Sequence, residues 1–261
     1  MQGEEKRIDC PFSAAFVTYQ PMEACKGVVI ICPGGGYEWL SARESLPVAA
    51  AFAKKGYQGV ILYYSVADVP LGTLPLRELA WAVRAARDIA AWRGKPLFVC
   101  GFSAGAHLAA SLGVHGQDEA LFTMREEREA QRPDGLILSY PVISAGIYAH
   151  RGSIARLTGG DAALNAYFSL ENHVTAQTPP AFLWHTADDE SVPVQNSLLF
   201  YEALLRAGVK SELHIFPTGA HGLSLATIEV QQPEKRRLAD PHVAAWFDLC
   251  AAWMQCQSAR R

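Results

Sequence analysis

The sequence predicts an α/β protein built on a mostly parallel, doubly wound sheet with helices on both faces. Short runs of β-branched and aromatic residues alternate with longer amphipathic segments along almost the whole chain. Such alternation is typical of parallel strands joined by crossover helices. The strand-like runs are apolar at nearly every position, as expected when helices cover both faces of a sheet. At 261 residues, of which 50% are hydrophobic, we expect the chain to form a single domain over residues 1–261.

The expected elements follow one another in order. Strands are expected at 16–20, at an edge of the sheet, and then at 27–32, 59–64, 96–101, 135–140, 181–185 and 212–216. Helices are expected at 46–55, 76–92, 103–114 and 194–207, with a last helix that starts at Asp240-Pro241. Gly56 and Gly208 end two of these helices, because glycine accepts the positive φ of a C-cap. The charged stretch at 119–132 is expected to be a solvated helix or loop.

Composition and charge argue against several function classes. A net charge of −3 offers no basic surface for nucleic acid or for an anionic membrane. No apolar run approaches the roughly 20 residues of a transmembrane helix, and the N-terminal MQGEEKRIDC lacks the apolar part of a signal peptide. The six cysteines show no metal-type spacing and suit free thiols in a reducing compartment. We expect a cytoplasmic protein without nucleic-acid or membrane partners, and a homodimer stays open.

One motif suggests the chemistry. Gly101-Phe102-Ser103-Ala104-Gly105 fits the G-x-S-x-G pattern and stands between an expected strand and an expected helix, the context that the pattern requires. A β-carbon at either glycine would crowd the neighbouring chain where the strand turns into the helix. The turn places the serine hydroxyl above the carboxyl edge of the sheet, beside a helix N-terminus. Ser103 is therefore the expected nucleophile.

A nucleophilic serine requires a base, and the base requires an orienting carboxylate, in the chain order serine, acid, histidine. The strand at 212–216 runs into PTGAHG, whose glycines let His221 approach the serine as the base. The strand at 181–185 runs into TADDE, where Asp188 and Asp189 both follow the strand end. The residues alone leave the choice between these two acids open.

The loops near Ser103 are expected to hold the oxyanion and the substrate. The amide of Ala104 is one expected oxyanion donor, and Gly34 and Gly35 are expected to supply the second, because glycine lets the backbone approach the substrate closely. A phosphate-binding loop is the alternative, but the chain has neither G-x-G-x-x-G nor Gly-Lys-Ser/Thr at this place. Tyr37 and Trp39 are expected to line the substrate pocket.

No cofactor is implied, and no metal site is expected. The eight histidines lack an H-E-x-x-H motif or clustered ligand spacing. His107, one helical turn after the nucleophile, is interpreted as a packed, hydrogen-bonded side chain and not as a second base. His185, at a strand end, is expected to be buried and oriented toward the acid loop.

Four segments, PGGGY, GFSAGAHLA, PPAFLWHTADDESVPVQNSLLFYEAL and GAHGLSLA, together resemble the α/β-hydrolase serine esterases. The resemblance is to the bacterial carbohydrate-esterase-like group, often labelled acetylxylan or feruloyl esterase-like, which borders the prolyl-oligopeptidase hydrolases. It covers the chain from about Gly27 to the last helix and implies the α/β-hydrolase fold. The family pattern H-G-x-x-D-x-x-V-P favours Asp189 as the acid, with Asp188 as the alternative. The family's glycine loop usually begins with histidine, and Pro33 stands there instead, so the hydrogen bond of that histidine is lost.

The expected function is therefore a serine hydrolase that cleaves short-chain carboxylic esters, a small-molecule substrate class that includes acetyl esters of sugars. The segment at 143–178 is longer than a crossover requires and is expected to form a small cap over the site. Two alternatives remain. One is a peptidase of the prolyl-oligopeptidase type that acts on short peptides, and the other is a non-catalytic binding protein with the same fold.

Overall fold

The computed structural model describes residues 4–259. Residues 1–3 and 260–261, and with them the start of the charged N-terminal segment, lie outside the described residues. The strands are β1 (Lys6–Asp9), β2 (Phe16–Tyr19), β3 (Val28–Cys32), β4 (Gln58–Tyr63), β5 (Leu97–Phe102), β6 (Gly135–Ser139), β7 (Ala181–Thr186) and β8 (Glu212–Phe216). The α-helices are α1 (Leu46–Lys54), α2 (Leu74–Asp88), α3 (Ala104–His115), α4 (Arg125–Ala130), α5 (Arg151–Thr158), α6 (Ala162–Tyr167), α7 (Gln195–Arg206), α8 (Pro241–Ala244) and α9 (Trp246–Ser258).

The strands form one eight-stranded sheet in the order β1-β2-β4-β3-β5-β6-β7-β8. The six strands from β3 to β8 pair in parallel, which confirms the predicted α/β class. β1 and β2 pair antiparallel. The prediction that β2 lies at the edge was wrong, because β1 covers its outer side. β1 is short and mostly exposed, so no apolar run in the sequence indicates it.

Two hydrophobic clusters cover opposite faces of the sheet. Neighbouring residues on a strand point to opposite faces, and Ile30 belongs to one cluster while Ile31 belongs to the other. Leu79 of α2 lies in the cluster with Ile30, and Trp246 of α9 lies in the cluster with Ile31. The central strands β3 and β5 are buried at every residue, as predicted for a sheet with helices on both sides.

Two helical regions differ from simple crossovers. The expected last helix is divided into α8 and α9, and the Asp240 carboxylate caps α8 by accepting from the amides of His242 and Val243. The segment at 143–178 contains α5 and α6, and the carbonyl of Arg156 accepts from the amide of Leu71 in the loop after β4, at 2.9 Å. Within residues 4–259, no helix combines the length and apolarity that a membrane span requires.

The topology gathers several loops at one edge of the sheet. Parallel strands have their carboxyl ends at the same edge. β3 leads into the glycine loop, β5 into Ser103, β7 into Asp188 and Asp189, and β8 into the loop that carries His221. The loops that carry the predicted site residues therefore lie side by side.

Candidate active site

The turn between β5 and α3 holds Ser103 in a strained conformation. Its φ is 54° and its ψ is −116°, a region that is costly for any residue with a β-carbon. A β-carbon added to Gly101 would lie 2.2 Å from the Gly105 carbonyl oxygen, and one added to Gly105 would lie 2.1 Å from the Cys32 carbonyl oxygen. Both distances are far below van der Waals contact, so both glycines are needed for the reason predicted from the motif.

Ser103, His221 and Asp189 form a continuous hydrogen-bonded chain. The Ser103 hydroxyl lies 2.8 Å from His221 Nε2, and His221 Nδ1 lies 2.6 Å from Asp189 Oδ2. Because an ionised carboxylate can only accept, Nδ1–H donates to Asp189 and Nε2 is left to accept from the serine. Asp188 is exposed and accepts from the amide of Gly219 at 2.7 Å. The structure thus places Asp189, and not Asp188, against the imidazole.

Asp189 is held as an ionised carboxylate by its surroundings. Its Oδ1 accepts from the amides of Ser191 and Val192, each at 2.9 Å. Burial alone would raise the pKa of Asp189, but hydrogen bonds from His185 and His221 outweigh it and hold that pKa below its usual range. A carboxylate that stays charged at neutral pH can stabilise a protonated His221.

His185 supports the acid from behind, as its strand-end position predicted. Its ring is fully buried, with Nε2 2.9 Å from the Val192 carbonyl oxygen and 3.3 Å from Asp189 Oδ2. Nδ1 lies 2.8 Å from the Ser197 hydroxyl. His185 and His221 therefore contact the same oxygen of the Asp189 carboxylate, Oδ2.

The glycine loop requires one correction to the expected oxyanion donors. The amide of Gly34 donates to Glu44 Oε2 at 2.8 Å, so this donor is already satisfied. The physical reason is a tight reversal, in which the amide of Ser41 donates to the Gly34 carbonyl at 2.9 Å and brings Glu44 against the loop. Gly35 lines the cleft beside Ser103. Ala104 is the first residue of α3, where an amide has no intrahelical acceptor, so Gly35 and Ala104 are the candidate donors.

The two aromatic residues after the glycine loop have different environments. Trp39 lines the cleft as predicted, with 47% of its surface exposed and the Lys235 ammonium 6.0 Å from its ring centroid. Tyr37 does not line the cleft, so the prediction that it lines the substrate pocket was wrong. Its φ of 62° and its buried ring place it in the core, with its hydroxyl 3.0 Å from His107 Nδ1.

His107 is a structural histidine, as interpreted from the sequence. Its ring is fully buried, and Nε2 donates to the Phe168 carbonyl at 3.1 Å while Nδ1 accepts from Tyr37. Burial lowers the pKa of His107 to about 4, so the ring is neutral at physiological pH. It contacts neither Ser103 nor His221 through a hydrogen bond among the described residues.

The cleft over Ser103 has a volume of about 200 Å³ and is lined by further polar side chains, one of them, His150, in the segment at 143–178 that was expected to cover the site. Arg156 lines it and pairs with Glu38 at 2.7 Å. His150 lines it as well, with Nδ1 2.8 Å from the Ser153 hydroxyl. Arg237 donates through Nε to the His221 carbonyl at 2.8 Å. None of these residues stands in a motif, because each reaches the cleft only through the packing of its segment.

Two further buried residues beside the cleft had no signal in the sequence. Glu44 and Tyr140 are both buried, and the Tyr140 hydroxyl donates to Glu44 Oε1 at 2.6 Å. The Tyr140 ring stands edge-on to the imidazole of His221, with centroids 5.1 Å apart. In the part of the chain that the structure describes, no group of three or more histidine, cysteine, aspartate or glutamate side chains is arranged so that it could hold a metal ion.

Comparisons with known proteins identify relatives of this chain. Residues 152–252 match the prolyl oligopeptidase family. The chain is 39% identical over 209 residues to endo-1,4-beta-xylanase B of Butyrivibrio fibrisolvens, covering 77% of this chain and 33% of that protein. It is 31% identical over 226 residues to the acetylxylan esterase of Xylanibacter ruminicola, covering 82% of this chain and 44% of that protein. The chain thus spans between a third and a half of the length of these curated relatives.

A solved structure extends the similarity to nearly the whole chain. The acetyl ester-xyloside bifunctional hydrolase of Caldicellulosiruptor lactoaceticus has a TM-score of 0.80 and 36% identity to this protein. The match covers 95% of this chain and 89% of that chain. The chain belongs to the α/β-hydrolase serine esterases, in the carbohydrate-esterase-like group that borders the prolyl oligopeptidase family.

Proposed function

We propose that this protein is a serine hydrolase of short-chain carboxylic esters, with acetyl esters of sugars as its substrates. One observation carries the proposal: Ser103 lies 2.8 Å from His221, which lies 2.6 Å from the buried Asp189. The relatives support the substrate class, since one is an acetylxylan esterase and another is an acetyl ester-xyloside hydrolase. The first name describes an esterase of acetylated xylan, and the second names an acetyl ester and a xyloside as the substrates of one bifunctional hydrolase.

The reaction follows from the geometry of these groups. As the Ser103 hydroxyl oxygen attacks the acyl carbon, His221 Nε2 takes its proton, and Asp189 stabilises the imidazolium. The carbonyl oxygen becomes an oxyanion that accepts from the amides of Ala104 and Gly35. The tetrahedral intermediate collapses, His221 returns the proton to the leaving alcohol, and an acyl-enzyme remains. Water then attacks with His221 as base, and the carboxylic acid and free Ser103 are released.

The shape of the site favours a small acyl group on a polar alcohol. The cleft over Ser103, at about 200 Å³, is smaller than the roughly 300–1,000 Å³ of pockets for drug-sized ligands. A second cavity of about 550 Å³ adjoins it at His221, Ser191 and Arg237 and provides room for a sugar. The exposed ring of Trp39 offers a flat surface for stacking, and we assign the segment at 143–178 to the wall of this cleft through His150 and Arg156.

A substrate panel tests the proposal. The wild-type protein and Ser103→Ala are compared on acetylated xylo-oligosaccharides, on p-nitrophenyl acetate and on an aminoacyl-p-nitroanilide, and both are treated with a fluorophosphonate probe. We expect wild-type turnover of the two acetyl esters and labelling of the wild-type protein alone. Faster cleavage of the anilide would favour the peptidase, the second candidate, which the match of residues 152–252 to the prolyl oligopeptidase family supports. A folded wild-type protein that is neither labelled nor active would favour the binding protein.

We further propose that the protein acts on a small-molecule ester in a reducing compartment such as the cytoplasm. All six cysteines are free thiols, and four of them are buried (Cys10, Cys32, Cys100 and Cys250). Burial strongly raises the pKa of the Cys100 thiol, so it remains protonated and unreactive. These thiols need no oxidising environment to hold the fold.

A further inference from the structure

Glu44 joins the glycine loop to the interior of the site. It ends a short 3₁₀ turn, Ala42–Glu44, and only 3% of its surface is exposed. Oε2 accepts from the amide of Gly34 at 2.8 Å, and Oε1 accepts from the hydroxyl of Tyr140 at 2.6 Å. Its side chain also lines the cleft that contains Ser103. The proposed mechanism assigns no task to this carboxylate.

Tyr140 extends the connection to the loop that carries the base. Its hydroxyl accepts from the amide of Ser224 at 2.9 Å while it donates to Glu44. The Ser224 hydroxyl donates to the carbonyl of Arg43 at 2.8 Å, the residue before Glu44. The Arg43 guanidinium in turn donates to the carbonyl of Gly222 at 2.8 Å. The turn at 42–44 is therefore bonded both to the glycine loop and to the loop that carries His221.

The position of Gly34 relative to Ser103 leaves little room for movement. A β-carbon added to Gly34 would lie 3.1 Å from the Ser103 β-carbon and 2.8 Å from the Phe102 carbonyl oxygen. The backbone of the glycine loop thus packs directly on the nucleophile turn. The Gly34 carbonyl and the Gly35 amide belong to one peptide unit, whose carbonyl accepts from the amide of Ser41 at 2.9 Å. Glu44 anchors the preceding unit through the Gly34 amide, so the two bonds together constrain where the Gly35 amide points.

We propose that Glu44 is a positioning residue that orients the amide of Gly35 toward the oxyanion by anchoring the amide of Gly34. Through Tyr140, the same carboxylate also fixes the position of the glycine loop relative to the loop that carries His221. A carboxylate near a developing oxyanion opposes its charge, so the benefit of Glu44 lies in geometry and not in electrostatic attraction. The inference rests on the proposed esterase function.

Replacement of Glu44 by glutamine tests the inference. The new side chain has one acceptor oxygen and one NH₂ group, so either the Gly34 amide or the Tyr140 hydroxyl faces a donor in place of an acceptor. The assay compares a p-nitrophenyl acetate with its thiono analogue, in which sulfur replaces the carbonyl oxygen. Sulfur is larger and accepts hydrogen bonds weakly, so the thionoester depends less on well-placed amides.

We expect Glu44→Gln to lower kcat for the oxygen ester about 10- to 100-fold, part of the 10²- to 10³-fold that loss of one oxyanion donor costs. We expect a clearly smaller loss of kcat for the thionoester, so that the ratio of kcat for the oxygen ester to kcat for the thionoester decreases. KM should change little. Glu44→Asp keeps both acceptors but ends one methylene short, and it should contract the ratio in the same direction. It serves as the test if Glu44→Gln does not fold.

Glu78→Gln is the matched control. Glu78 is another buried carboxylate, whose oxygens accept from the Ser65 amide at 2.8 Å and the Ser65 hydroxyl at 2.6 Å, but it lies on α2 and does not line the cleft. It should lower the thermal midpoint and leave the oxygen-to-sulfur ratio at the wild-type value. An unchanged ratio in the folded Glu44 variants, or an equal contraction in Glu78→Gln, would overturn the inference. A wild-type protein without esterase turnover or fluorophosphonate labelling would instead defeat the proposed function itself.

Discussion

Replacement of Asp189 by asparagine should abolish nearly all esterase turnover without unfolding the protein. Oδ1 of Asp189 accepts from two amides, those of Ser191 and Val192, each at 2.9 Å. In the Asp189→Asn variant the side-chain amide oxygen should stay on that side, because the two backbone amides there can only donate, whereas the imidazoles that face Oδ2 can change tautomer. The NH₂ group then takes the place of Oδ2, 2.6 Å from His221 Nδ1. It can only donate, so Nδ1 becomes an acceptor and the ring proton moves to Nε2, which faces Ser103.

The size of the loss follows from this change of tautomer. An imidazole with its proton on Nε2 cannot accept the serine proton, and its cation also loses the facing carboxylate. An orienting aspartate replaced in this way costs about 10⁴-fold in kcat, which corresponds to about 5.5 kcal/mol of transition-state stabilisation. KM should change little, because Asp189 lies behind His221 and does not line the cleft.

The assay is steady-state hydrolysis of p-nitrophenyl acetate at neutral pH, with circular dichroism and thermal melting to verify the fold. Asp188→Asn is the matched control: Asp188 is exposed and its bond to the Gly219 amide needs only an acceptor oxygen, which asparagine retains. We expect it to cost less than about tenfold. The reasoning fails if Asp189→Asn keeps more than a tenth of the wild-type kcat, or if the larger loss occurs at Asp188.

Three further variants or conditions probe other parts of the site and the fold. Ser103→Ala should lower kcat by about 10⁶-fold and abolish fluorophosphonate labelling, and retained labelling would point to another nucleophile. Gly105→Ala places a β-carbon 2.1 Å from the Cys32 carbonyl oxygen and should lower the free energy of unfolding by about 1–3 kcal/mol or more in urea denaturation, whereas a neutral result would contradict the packing argument. The pKa of His107 falls from 6.5 to about 4 in the folded state, so below pH 6.5 the unfolded state binds the proton more readily. His107 should therefore contribute a decrease of about 3 kcal/mol in the free energy of unfolding as the pH falls from 6.5 to about 4, and His107→Gln should show a shallower dependence.

The acid side of the stability profile also involves Asp189. Its folded-state pKa is depressed, so its contribution to stability is fully present above the unfolded value of about 3.9 and is lost as the pH falls through the folded value. This loss of stability begins at about the pH at which the loss due to His107 is complete. The two groups therefore affect stability in successive pH ranges. Asp189→Asn should remove the stability change in the lower pH range.

The site residues that were predictable share one property: each lies in a turn or loop at the carboxyl end of a strand. Ser103 follows β5, and His221 lies in the loop after β8, and parallel strands bring such positions to one edge. The same rule could not separate Asp188 from Asp189, because both follow β7. Only the family pattern favoured Asp189, and the deciding contacts, the amides of Ser191 and Val192, depend on how the loop folds after the acid.

The site predictions that were wrong depend on the direction of a turn. Gly34 and Gly35 are equivalent in the sequence, yet the reversal that bonds Ser41 to Gly34 assigns the Gly34 amide to Glu44. Tyr37 and Trp39 are both aromatic residues after the same loop, but the positive φ of Tyr37 turns its ring into the core toward His107. Periodicity and composition carry no signal for such a turn.

The nucleophile and the base are held in place by different means. Ser103 is positioned by local geometry, since the strand, the helix and the two glycines of the turn determine its backbone. The loop of His221 is held by polar contacts with segments distant in sequence. The His221 carbonyl accepts from Arg237, and the Gly222 carbonyl accepts from Arg43. We therefore expect a change at Arg237 to displace the base while the sheet stays in place, because its bond holds the backbone of the His221 loop and not a strand of the sheet.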